Sequence, residues 1–198
     1  MAGEPSRGSI LAMEITLSIL VGIGLAAACG FRVFVPFLVV SIASMSGHLE
    51  LASGFEWMGS TYALVAFAAA TLLEILAYYI PWLDNLLDTI ATPAAVAAGI
   101  VITASVVGDM SPFLRWTLAV IAGGGTAAAV QAATVSLRGA STVTTGGLAN
   151  PAVSTGELGG SAVVATLAVV LPIVAVALVI IMSALLVRLR KWSRRRVG

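Results

Sequence analysis

The sequence predicts an all-α, polytopic integral membrane protein of five or six transmembrane or re-entrant helices, with two halves related by an inverted internal repeat. Three observations carry that prediction. Of 198 residues, 60% are hydrophobic and only 10% are charged, where a soluble domain of this size carries about 25% charged residues. With a mean hydropathy of +1.08, the chain has more apolar surface than one water-facing globule can hide, so lipid is its natural solvent. The phrase Gly22-Ile-Gly24-Leu-Ala-Ala-Ala28 also returns later as Gly123-Gly-Gly125-Thr-Ala-Ala-Ala129.

Taken in order, residues 1–14 are polar and read as a frayed tail. Arg7 ahead of an apolar run raises the question of a cleaved signal peptide. The run from Ile15 is too long for one and contains Arg32, so the segment is read as retained. The first span covers about Ile15 to Met45, longer than the ~20 residues a simple crossing needs. Gly30 and Pro36 in its middle predict a kinked or discontinuous helix. A loop over 46–60 holds His48, Glu50, Glu56 and Trp57. The second span, Thr61 to Ile80, ends at Pro81, with Tyr78, Tyr79 and Trp82 where an aromatic belt belongs. Asp84 and Asp88 then share one face of a short stretch with leucines opposite, which predicts an amphipathic helix near the interface.

Thr92-Pro93 opens a third segment, Ala94 to Val107, and Gly108 to Pro112 is a turn. The fourth span, about Phe113 to Leu137, carries Gly123–Gly125 and Gln131. Residues 138–160 are rich in Ser, Thr and Gly and read as a loop, in which Asn150 as N-cap and Pro151 at the first helical position start a short helix. The last span, about Ser161 to Val187, includes Pro172 and leads into the tail 188–198, which holds six of the ten basic residues. A basic cluster beside a hydrophobic segment marks a cytoplasmic end. The membrane domain is therefore 15–187, in halves of about 15–108 and 113–187. An odd number of spans between the two glycine phrases makes the halves inverted, whereas a re-entrant first segment would make them parallel.

Three stretches, Ala28-Cys-Gly-Phe-Arg-Val-Phe-Val-Pro-Phe37, Pro81-Trp-Leu-Asp-Asn-Leu-Leu-Asp-Thr-Ile-Ala-Thr-Pro-Ala-Ala95 and Thr144-Thr-Gly-Gly-Leu-Ala-Asn-Pro151, carry a resemblance over nearly the whole chain. It resembles the family of small bacterial membrane proteins filed as domain of unknown function 4126. That resemblance implies an integral protein of the bacterial cytoplasmic membrane and no particular activity.

Arg32 and Glu74 are the charges deepest in apolar segments, and a charge at a helix centre costs roughly 3 kcal/mol or more. Each needs a partner or a wet cavity, and the two are expected to pair. Gln131 is the strongly polar side chain in the middle of its span. With Thr144, Thr145 and Asn150 these residues form the expected pathway for a small polar or ionic solute. Asp84, Asp88 and Thr92 offer oxygen ligands to a cation or proton at one mouth; whether a metal binds is left open.

The glycine phrases read as close helix packing, or else Gly123–Gly125 marks an unwound stretch lining a pathway. Asn150-Pro151-Ala152 resembles the half-helix signature of aquaporins, but the rest of that pattern is missing. One histidine excludes Ser-His and multi-His arrangements, and no nucleotide fingerprint occurs. The chain is read as no enzyme, with no cofactor and no nucleic-acid partner; its partner is the bilayer, and a thin scaffold of five spans makes a homodimer reasonable. The leading reading is a small secondary transporter or channel. The alternative is a non-transporting membrane module that organises lipid or a partner protein.

Overall fold

The computed structural model describes residues 7–79, 81–181, 184 and 188, and over 81–89 the backbone course alone. The polar start 1–6, the side chains of Trp82, Asp84 and Asp88, and the basic tail 189–198 lie outside the described residues. Among the described residues the chain is helical with no strand. The helices are α1 (Arg7–Cys29), α2 (Phe34–Met45), α3 (Thr61–Ala77), α4 (Pro81–Val106), α5 (Pro112–Leu118), α6 (Gly125–Thr145) and α7 (Asn150–Val170), followed by α8 (Pro172–Ile181). A π-helical segment, Ala119–Gly124, joins α5 to α6 without a break, giving one helix of 34 residues. Among the described residues, three helices are long and apolar enough to cross a membrane: Arg7–Cys29, Pro112–Thr145 and Asn150–Val170.

The core is built around the C-terminal half of α1. Leu25, Ala26, Ala27, Ala28 and Cys29 have no solvent exposure, so this part of the helix is buried on every side. Small side chains let neighbouring backbones come close, which is how helices pack without a hydrophobic drive between them. A Cβ on Gly24 would lie 2.7 Å from that of Ala168, and one on Gly99 would lie 2.6 Å from that of Ala127 and 2.8 Å from the Gly123 carbonyl oxygen. Gly123–Gly125 is thus helical and not unwound, with Gly123 and Gly124 packed and Gly125 open.

The contacts set the direction of each helix. Gly24 meets Ala168, Ala28 accepts from Ser161 and Arg32 reaches Ser154, so α1 and α7 are antiparallel. Gly22 and Gly123 flank the same Thr103 of α4, and Gly30 lies against Val130; α1 and α6 therefore run in the same direction. Residues 30–33 turn the chain back, and α2 ascends beside α7. Where the sequence predicts inverted halves, the two glycine phrases lie on parallel helices, because the turn at 30–33 adds one reversal.

Four further expectations change. The stretch 7–14 is helix, in keeping with its Leu, Ala, Met and Glu content. The interfacial helix and third segment merge into one α4 that runs through Pro93, a residue membrane helices tolerate because neighbours can satisfy the freed carbonyl. The expected 138–160 loop shrinks to Gly146–Ala149, with Gly146 and Gly147 at φ of +63° and +86°. Hydroxyls that usually compete with helix here bond back one turn: Thr144 to the Ala140 carbonyl, Thr145 to Ser141 and Thr155 to Pro151. Last, the helix N-cap is Ala149 and not Asn150. The Thr145 hydroxyl accepts from the Ala149 amide, and the Asn150 side chain donates to Thr142 instead.

A buried arginine–glutamate cluster as candidate functional site

A helix that stops inside an apolar bundle leaves amides and carbonyls without partners, and in hydrocarbon each costs several kcal/mol. The turn at 30–33 solves this with side chains from three other helices. Ser161 on α7 donates to the Ala28 carbonyl at 3.0 Å, and Thr134 on α6 approaches that of Gly30 at 3.5 Å. Glu74 on α3 accepts from the Val33 and Phe34 amides at 2.8 and 3.1 Å, capping the N-terminus of α2. A carboxylate there also meets the positive end of the helix dipole. Gly30 is required because a Cβ would sit 2.6 Å from that of Val130.

Arg32 points from this turn into the protein and is 2% exposed. Its Nη2 donates to the Ser154 carbonyl at 2.9 Å and to the Ser154 hydroxyl. The same nitrogen lies 3.7 Å from Glu157 Oε2. Glu157 itself, 4% exposed, is held by Arg138, whose Nε donates to the two carboxylate oxygens at 2.9 and 3.1 Å and whose Nη2 also bonds Oε2. Tyr78, directly after α3, stacks against both cations, with the Arg32 and Arg138 guanidinium carbons 3.8 and 4.1 Å from its ring centre. Cation–π contacts of this kind are strongest when desolvated.

The expected partner of Arg32 was Glu74. Glu157 takes that place, while Glu74 serves the backbone beside it. Gln131 is buried on the same face of α6 as Thr134 and Arg138. Thr144 and Thr145 are exposed at the α6–α7 turn, and Asn150 is partly covered there. Thr92 is exposed on α4. Because α4 runs antiparallel to α6, the backbone at 84 and 88 begins at the same end of the bundle as that turn. Tyr78 leaves the expected aromatic belt for the interior, while Tyr79 stays exposed and bonds Thr155 through its hydroxyl at 2.9 Å.

Arg138, Tyr78, Ser154 and Glu157 escape the sequence reading. Arg138 and Glu157 fall in a stretch that composition assigns to a solvated loop. The usable signal is spacing: Gln131, Thr134 and Arg138, then Ser154, Glu157 and Ser161, recur at i, i+3 and i+7, the period of one helix face.

A family model described as domain of unknown function (DUF4126) matches residues 19–192. The chain belongs to that family. Every member of the cluster lies within the DUF4126 match, as does the whole α1–α2 turn. No curated protein and no solved structure matches the chain.

Proposed function

We propose that this DUF4126 protein is a multi-pass protein of the bacterial cytoplasmic membrane, C-terminus cytoplasmic, that moves a small polar or ionic solute. One observation carries the reading. Buried in a largely apolar bundle is a helix interruption joined to two arginines and a glutamate. Broken helices that present backbone and charge inside a membrane are the recurring form of transporter sites, and intramembrane charges usually mark a pathway. Arg32 would hold the solute, with Glu74 and Gln131 alongside. The end bearing Thr144, Thr145 and Asn150, and the start of α4 with Asp84, Asp88 and Thr92, would form one mouth.

The test is solute flux in proteoliposomes of the wild type and Arg32→Ala. Flux in the wild type that falls tenfold or more in the variant supports transport. Equal rates in both, at the level of empty liposomes, remove it. A second reading, a non-transporting module that organises lipid or a partner, is favoured by the way the cluster's carboxylates satisfy protein groups. It predicts that Arg32→Ala lowers stability alone, and that replacing the basic tail releases a co-purifying partner.

A further inference from the structure

Among the described residues, Arg32 is short of acceptors. Glu157 gives both oxygens to Arg138, and its 3.7 Å approach to Arg32 is too long for a hydrogen bond. Glu74 spends its oxygens on the Val33 and Phe34 amides. Ser154 occupies Nη2. That leaves Nε and Nη1 of Arg32, which together carry three N–H donors. Both atoms are buried, and neither has a hydrogen-bond partner among the described residues. Arg32 is therefore a desolvated cation whose nearest carboxylate is committed to another arginine.

We propose that the unpartnered N–H donors of Arg32 bind a small oxyanion, a group of the carboxylate or phosphate class. Such a group supplies a strong acceptor to one of these donors, and its negative charge answers the cation. A neutral carbonyl would satisfy part of the donor set and none of the charge. The inference rests on the transport reading for the solute's role and names the solute's class; binding itself is measured separately.

The full chain, purified in detergent and stripped of lipid, is unfolded by heat at constant ionic strength with formate, inorganic phosphate, short-chain phosphatidylglycerol or chloride. An oxyanion should raise the midpoint saturably, by on the order of 3 °C or more at high occupancy, with no such effect of chloride. Arg32→Lys, which keeps the charge and loses the planar donors, should abolish the rise. A response to formate or phosphate assigns a soluble anion, and a response to the lipid alone assigns a headgroup phosphodiester; both support the oxyanion. No response to any probe, an equal response to chloride, or an undiminished response in Arg32→Lys overturns it. If that variant does not fold, the side-chain Nε–H resonance of Arg32 in the wild type decides, since indifference to saturating oxyanion is equally fatal. A midpoint shift without flux would sink transport and keep the site, and flux without a shift would do the reverse.

Discussion

Glu157 is the residue on which the cluster turns, because its carboxylate is bonded to Arg138 and is the one nearest Arg32, at 3.7 Å. Removing one partner of a buried ion pair leaves a charge unanswered and costs about 3–5 kcal/mol. Glu157→Ala should therefore lower the stability of the detergent-solubilised protein by about that amount, measured by chemical denaturation. Glu74→Gln, which keeps an acceptor near two amides, should lose no more than about 1–3 kcal/mol. Equal losses would mean that Glu74 also bears on Arg32 directly. At this scale the sequence was half legible. Arg32 stands alone in an apolar run and identifies itself. Glu157 sits among Ser, Thr and Gly, and only its spacing from Ser154 and Ser161 separates it from a solvated side chain.

Among the elements, α4 is gripped by α1 on one side and by the π segment and α6 on the other. Gly99→Ala would drive a Cβ to 2.6 Å from that of Ala127, and overpacking of this kind costs about 1–3 kcal/mol. Gly125→Ala meets nothing within 4 Å and lies in a helix, so it should stabilise by roughly 0.5–1 kcal/mol. Opposite shifts in thermal midpoint from these two glycines would confirm that close packing requires Gly99 and makes no such demand at Gly125. Gly22, Gly24 and Gly123 were readable as packing residues from their spacing, whereas Gly125, read the same way, is open. The helical state of 138–145 and 150–160 was not, because hydroxyls that bond back to the preceding turn look the same in sequence as hydroxyls that form turns.

For the whole molecule, the loops divide between two ends. The Ala52 amide donates to the Ser105 carbonyl at 2.7 Å and Arg115 Nη1 to that of Ser53 at 3.3 Å, placing 46–60 and 107–111 together. The α6–α7 turn lies at the other end, with Tyr79. In a Cys29→Ala background, single cysteines at 53 and 108 should react with an impermeant thiol reagent from one side of the membrane, and one at 148 from the other. Labelling of all three from one side would refute this arrangement. Class and approximate helix positions were legible from hydropathy; the relative direction of the halves was not, since it depends on whether four residues, 30–33, continue a helix or reverse it.

The hydrogen bonds from Arg32 to Ser154 span 122 residues of chain. At a synthesis rate of roughly 5–20 residues per second, about 6–25 s pass between the making of the cation and the making of its acceptor. During that interval α1 and α2 exist without the α7 groups, Ser154 and Ser161, that bond their turn. Arg32 and the Ala28 carbonyl therefore lack their α7 partners until α7 emerges. Assembly of this protein is thus timed from its C-terminal half: a helix made late is the one that lets the first turn settle.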